Sequence, residues 1–437
     1  MKEILHQKLI DALDRRLPAF TRREVRLPAI PGKALAVIGM RRSGKTTFLW
    51  QCMADRLGAG APRDSLVYLD FEDDRIAGIQ ASDLSWLVED YFLLKPGFRK
   101  AGSVTFLFDE IQTVPGWEKF VRRLMDTEKV EIVLSGSSAR LLSREVATSM
   151  RGRALEVLVH PFSFREMLRH TGALPGGPWE DLSSAVHSDL NHRLNRYLTV
   201  GGFPEAINAP DPDRYALLRG YADLVALRDI IDRHGVTNPV ALRWMQRHLL
   251  ANAAAMFSVQ KIYNDLRSQG IAVGKDTLHT YLGYLEDAFL VRAISLHSGS
   301  ERQRMVNPRK AYPVDPGFIP VYDRTGRHNL GHALETAVLI ELERRGRAVS
   351  YVRTKEGLEV DFLSIAPAQR PELIQVCVDI SGQTVMERET RALLAAAKEV
   401  PDAELLLLTL DPTPPARPLP KPVMWKPAAA WLLDNSA

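Results

Sequence analysis

Gly39-Met40-Arg41-Arg42-Ser43-Gly44-Lys45-Thr46 satisfies the pattern G-x-x-x-x-G-K-[ST] at every fixed position. Glycines let backbone N–H groups close around phosphate oxygens, Lys45 reaches the terminal pair, and the Thr46 hydroxyl suits Mg²⁺. A helix starting here would add its positive end to the same anion. The flanks agree. Ala34-Leu35-Ala36-Val37-Ile38 is a short apolar run suited to a buried strand, and Thr47-Phe48-Leu49-Trp50-Gln51-Cys52-Met53 reads as a helix. Gly39 to Gly44, with Lys45, Thr46 and Thr47, are therefore the candidate nucleotide-binding residues.

Downstream, Val104-Thr105-Phe106-Leu107-Phe108 is a strand-like run that ends in Asp109-Glu110. An aspartate at such a strand end can hold the Mg²⁺ shell of a nucleotide seated on the loop. Glu110 is suited to polarise an attacking water, the task that separates a hydrolase from a nucleotide binder. ATP with Mg²⁺ is the expected ligand pair. An acidic pair after an apolar strand is common at helix starts, so its meaning comes from the preceding loop. Only one further strand-like segment, Ser65-Leu66-Val67-Tyr68-Leu69-Asp70, lies between them.

The chain has 437 residues, 46% of them hydrophobic, and a formal net charge of +4. That length suggests two to four domains at roughly 150 residues each. So small a charge does not announce a nucleic-acid binder, and any basic surface must be local. Two cysteines, Cys52 and Cys377, cannot make a disulfide framework. No apolar run approaches the roughly 18 residues needed to span a bilayer, and the opening segment lacks a signal-peptide core. The expectation is a cytoplasmic protein without membrane contact.

Residues from about 20 to 235 resemble an AAA+ ATPase, specifically the prokaryotic group with an uncharacterised C-terminal region. The resemblance rests on Gly39 to Thr46, Phe71-Glu72-Asp73, Asp109-Glu110, Ser135 to Ser138 and Pro161-Phe162-Ser163-Phe164-Arg165-Glu166. Gly201-Gly202-Phe203-Pro204-Glu205 and Leu227-Arg228-Asp229-Ile230-Ile231 extend it. It implies an α/β P-loop core, a parallel sheet flanked by helices with the loop leaving its central strand, followed by a helical lid. It also implies a polar side chain between the acidic pair and the terminal phosphate. Ser137 and Ser138 are the candidates, although both hydroxyls can equally cap the helix beginning near Ala139. Arg153, and less directly Arg151, can reach a neighbour's nucleotide as an arginine finger, or simply end a helix in solvent. Assembly into a ring through the ATP sites is a further implication of the resemblance, a hexamer being the expected size although rings of other sizes use the same interface logic. The lid arginine that senses nucleotide is unassigned among Arg196, Arg214, Arg219 and Arg228.

From Val240 to Val291 the periodicity predicts three helices, the third presenting Lys275, Thr277, His279 and Thr280 opposite its apolar face. This is the build of a helix-turn-helix. An extended basic stretch is expected to follow, with Arg292, Arg302, Arg304, Arg309 and Lys310 gripping phosphates as a wing. DNA contact through Lys275, Thr277, His279, Arg302 and Arg304 is one reading, and a packing module for an unidentified partner protein is the other.

Finally, Glu335 in a helical stretch, Asp361 and Glu359 in Gly357–Leu363, and Gln375-Val376-Cys377 follow the frame of PD-(D/E)xK nucleases. There the carboxylates hold a metal and a lysine orients water. Here Cys377 stands where the lysine belongs and cannot supply its charge. The expected outcome is a restriction-endonuclease-like α/β domain with a vestigial site of Glu335, Asp361 and Gln375, unless a lysine such as Lys355 has migrated. The expected divisions are 1–160 for the core, 161–235 for the lid, 236–315 for the winged-helix segment and 316–437 for the nuclease-like part.

Overall fold

The computed structural model describes residues 1–28, 30–102, 104–136, 152–323 and 329–434. They form two compact units, Met1–Val159 and His160–Ala437.

The first unit is built on five parallel strands: β1 (Ala34–Ile38), β2 (Leu66–Asp70), β3 (Val104–Asp109), β4 (Val130–Gly136) and β5 (Ala154–Leu158), ordered β2-β3-β4-β1-β5. Every residue of β1 and β3 is buried, as expected for strands covered on both faces by crossover helices. Helices Lys45–Gly58, Ala81–Leu94 and Trp117–Thr127 supply that cover. Phe106 and Phe108 stack at 5.6 Å, and Tyr91 meets Phe106 edge-on at 5.4 Å. One expectation is corrected. The strand feeding the phosphate loop is not central, because only β5 lies beyond it, and β4 takes the middle. That insertion has a consequence for the site, since it sets β4 directly between β1 and β3.

The second unit begins with helices Phe164–His170, Ser184–Val200 and Asp211–Leu224, the last running into a π-helical stretch, Val225–Asp232. Next come helix Pro239–Ala251, β6 (Met256–Phe257), helices Val259–Ser268 and Lys275–Asp287, β7 (Val291–Ile294) and β8 (Arg309–Pro313). The three strands form an antiparallel sheet ordered β6-β8-β7. A mixed sheet, β13-β12-β11-β10-β9, completes the unit. Its strands are β9 (Ala348–Arg353), β10 (Glu359–Ile365), β11 (Glu372–Cys377), β12 (Glu404–Thr409) and β13 (Met424–Pro427), covered by helices Leu330–Arg344 and Gln383–Ala397. The expected extended wing is corrected here. Residues Glu301–Val306 form a short helix between β7 and β8, started by the Ser300 side chain accepting from the Gln303 amide.

A buried carboxylate ties distant parts of this unit together. Asp315 accepts from Gly202 N at 2.7 Å and Gly317 N at 2.9 Å. The two glycines of Gly201-Gly202 are required at these positions. A Cβ on Gly201 would lie 1.9 Å from Asp315 Oδ1, and one on Gly202 would lie 2.1 Å from Phe162 O. Burial pushes the Asp315 carboxyl up to about 6, against the opposing pull of those two amides. The raised value has a definite sign. Its contribution is fully present below the unfolded value near 3.8 and is lost as pH rises through about 6. The stability of wild type relative to Asp315→Asn is therefore expected to fall by about 3 kcal/mol across that interval, read from urea midpoints at each pH.

Candidate functional site

The phosphate loop is stretched between β1 and helix Lys45–Gly58, which it enters through Gly44 at φ +99°. Gly39 sits at φ +148°, and a Cβ there would lie 2.2 Å from Val159 O. Side chains at this corner are excluded by contact as well as by conformation. Ser43 is fully buried within the loop, its hydroxyl without a hydrogen-bond partner among the described residues. Arg23, only 4% exposed, donates to Ser43 O at 2.9 Å, while its backbone and the Gln51 amide exchange two hydrogen bonds. Arg41 pairs with Glu72 at 3.0 Å.

Lys45 is buried, with Nζ donating to Met40 O at 3.2 Å and lying 3.9 Å from Glu110 Oε1. The phosphate-gripping cation and the candidate base thus face one another across the loop. Asp109 is 2% exposed and accepts from Tyr68 Oη at 2.7 Å and from Ser135 Oγ in a short contact, with Thr46 close enough to lower its pKa. Burial raises its pKa, and these hydrogen bonds oppose the rise. Thr46 and Asp109 together present the hard oxygen donors that Mg²⁺ takes. Their proximity fits a shared metal shell.

Glu110 holds φ +51°, ψ +40°. A non-glycine residue in that region costs roughly 1–3 kcal/mol and persists only where its surroundings impose it. Its N–H donates to Ser135 Oγ at 3.2 Å, and Gln112 Nε2 donates to its carboxylate. In this conformation the carboxylate lies 3.9 Å from Lys45 Nζ.

Ser135 thus bridges Asp109 and Glu110. Ser137 and Ser138, the expected candidates, lie outside the described residues, as does Arg151. The missed signal is strand length. β4 runs on through Gly136, and the register that pairs Phe108 with Leu134 brings Ser135 beside Asp109. Tyr68, Gln112 and Arg23 were likewise not anticipated. Arg153 precedes β5, and its carbonyl accepts from Ala34 N, the first residue of β1. It therefore stands at the sheet edge opposite the loop, paired with Asp126, and cannot serve the nucleotide of its own chain.

In the second unit, Lys275 and His279 are exposed and Thr277 is half-buried on helix Lys275–Asp287. Arg302 and Arg304 are exposed on the short helix, where Arg304 pairs with Glu301 at 3.4 Å. Two other expected phosphate contacts are corrected. Arg292 is taken by Glu343 at 2.7 Å, and Lys310 is buried at 4% exposure.

Lys310 reaches the nuclease-like carboxylates instead. Its Nζ lies 2.7 Å from Glu359, 3.0 Å from Asp361 and 3.7 Å from Glu335. Burial works against the ammonium, but Asp361, Glu335 and Glu359 outweigh it and hold its pKa above the ordinary value. Glu335 is pushed up to about 8 by burial and by Asp361. Gln375 Oε1 accepts from Asp361 N at 3.4 Å, and a register irregularity in β10 between Val360 and Leu363 re-aims this stretch. Glu335, Asp361 and Gln375 do converge, but around a lysine that the motif does not contain. Lys355 is exposed and takes no part. Cys377 is held neutral, its thiol pushed up to about 12 by burial. These residues do not fit a divalent metal, because the ammonium already occupies the point where the carboxylates meet. Among the described residues, no group of three or more His, Cys, Asp or Glu is arranged to hold one.

The first unit's sheet order, glycine corner and strand-end acids define a P-loop domain of the ATP-binding AAA type. A family model described as an AAA domain matches residues 31–168, and a domain of unknown function (DUF8612) matches residues 191–325. The chain is 32% identical over 383 residues to uncharacterized protein MJ1544 of Methanocaldococcus jannaschii, covering 86% of this chain and 82% of that protein. It is 31% identical over 349 residues to an uncharacterized protein of Haemophilus influenzae, covering 80% and 83% respectively. The chain belongs to the family of these proteins, with an AAA domain in its N-terminal part. Among solved structures, the Walker-type ATPase Paby2304 of Pyrococcus abyssi aligns over 74% of this chain and 95% of its own, at 16% identity and a TM-score of 0.41. No helix among the described residues is long and apolar enough to cross a membrane.

The corner at Gly39 generates a direct expectation. Gly39→Ala must displace either Val159 or the loop, so affinity for a fluorescent ATP analogue should fall at least roughly tenfold, a loss within the range of such backbone strain.

Proposed function

We propose that this chain hydrolyses ATP with Mg²⁺, assembles through its ATP sites, and engages DNA through its second unit. The observation that carries the proposal is the meeting of Lys45, Thr46, Asp109, Glu110 and Ser135 at one edge of one sheet. In this reading Lys45 and the amides of Gly39 to Thr47 hold the phosphates, and Thr46 and Asp109 hold the metal. Mg²⁺, when bound, neutralises charge on the phosphate oxygens. Glu110, steadied by Gln112 and Ser135, takes the proton of the attacking water. Arg153, on the far sheet edge, is suited to serve a neighbour's site only. Purified Glu110→Gln is expected to keep ATP affinity while turnover falls by about 10²–10⁴-fold, measured as phosphate release. Wild-type turnover in that variant would remove Glu110 from the role.

DNA engagement is supported by the order of elements in residues 239–313, helix, strand, helix, helix, strand, short helix, strand, which is that of a winged helix with a helical turn inserted where the wing would extend. Lys275, Thr277, His279, Arg302 and Arg304 would be its contacts. Lys275→Ala is expected to weaken duplex binding and lower the salt slope by about one, followed by fluorescence anisotropy at several salt concentrations.

A second reading, a nucleotide-switched regulator or scaffold for a partner protein, has its own support. Arg292 and Lys310, two of the cations expected to grip phosphate, are engaged internally. Absence of binding to duplex, forked and single-stranded DNA at low salt would favour it. Both readings suit a cytoplasmic protein.

A further inference from the structure

The carboxylates of Glu335, Glu359 and Asp361 come from two elements, helix Leu330–Arg344 and β10, and the cation between them comes from a third, β8. An ammonium has three N–H donors, and Lys310 has one carboxylate within 4 Å for each. Two of these oxygens take a further donor. Asp361 Oδ2 accepts from Val376 N at 3.1 Å, and Glu335 Oε2 accepts from Tyr312 Oη at 3.3 Å.

Lys310 has little freedom to leave. β8 pairs on both sides, with Met256 and Ile294 as partners of Lys310 itself. Tyr351 Oη donates to Pro308 O at 2.6 Å, just before the strand begins. Beyond β7, Tyr351 also exchanges backbone hydrogen bonds with Ser295 and His297, tying β9 to the same region.

We propose that Lys310 is a built-in cation that closes the Glu335–Glu359–Asp361 pocket to divalent metal, and that removing its charge opens the pocket to a hard divalent cation. The grounds are chemical class and position. Three carboxylates and a glutamine oxygen are the ligands that Mg²⁺, Mn²⁺ and Ca²⁺ prefer. A divalent ion bound there would need the same oxygens that the ammonium holds, within contact distance of a fixed positive charge. Without that charge, the buried Asp361 and the partly buried Glu335 and Glu359 lose their shared counter-charge, which a protein disfavours unless another cation enters. The pocket thus has the ligand chemistry of a metal site, while its occupant is a lysine.

The experiment uses the full chain without nucleotide, so the outcome is independent of the phosphate loop. Mn²⁺ binding is counted by electron paramagnetic resonance. Terbium luminescence reports the same pocket, because Tyr312 at its wall can sensitise the ion. Wild type and Asp361→Asn are expected to bind Mn²⁺ equally and to give the same emission. Lys310→Met, with Lys310→Gln alongside as a variant that keeps a hydrogen-bond donor, is expected to gain one Mn²⁺ equivalent and sensitised terbium emission. Adding Asp361→Asn to either should abolish both gains. A wild-type site that disappears in Asp361→Asn overturns the proposal, as does a folded Lys310 variant that gains nothing. Failure of both Lys310 variants to fold even with Mn²⁺ in excess also overturns it, since the ion is expected to replace the missing charge.

Discussion

A carboxylate buried at the end of a strand must find donors, and in the first unit that requirement organises everything near the phosphate loop. Asp109 is desolvated enough to raise its pKa, and it accepts from Tyr68 of β2 and Ser135 of β4, with Thr46 of the helix after the loop close by. Three separate segments are thereby held at one point. Glu110, the next residue, holds a costly backbone conformation and donates its N–H to the same serine. Charge, strain and hydrogen bonding are concentrated on two neighbouring residues, while β1 and β3 themselves are buried along their whole length.

The second unit solves a comparable problem twice. Asp315 keeps its carboxyl inside by accepting from two backbone amides, which forces glycine where side chains would collide. The Glu335–Glu359–Asp361 group is stabilised instead by an ammonium from a neighbouring sheet. The first arrangement leaves a carboxyl that holds its proton more firmly than usual. The second leaves an ion cluster in which removal of a single partner exposes charge that nothing else offsets.

Much of the first unit was legible without coordinates, because its signals are local. A phosphate loop is a run of backbone conformations that only glycines permit, and an apolar run capped by two acids marks its own end. Ser135 was missed because the end of β4 is indistinct in the sequence: Ser-Gly-Ser-Ser after an apolar run reads equally as strand or turn. The wing was misjudged for a different reason. Arg302, Arg304, Arg309 and Lys310 look alike as a basic stretch, yet the first two stand on an exposed helix and the last points into the protein.

The amino-acid sequence by itself determined the phosphate loop, the acidic strand end and the α/β character, since each depends on residues close together along the chain. Tertiary structure alone decided which hydroxyl meets Asp109 and which lysine meets Asp361, partners 26 and 51 residues apart. Such pairings are set by strand register and by which sheet lies against which helix, and those follow from how whole apolar faces pack. A lysine can be counted in a sequence, but whether it faces water or a carboxylate is settled only when the strand that carries it has found its neighbours.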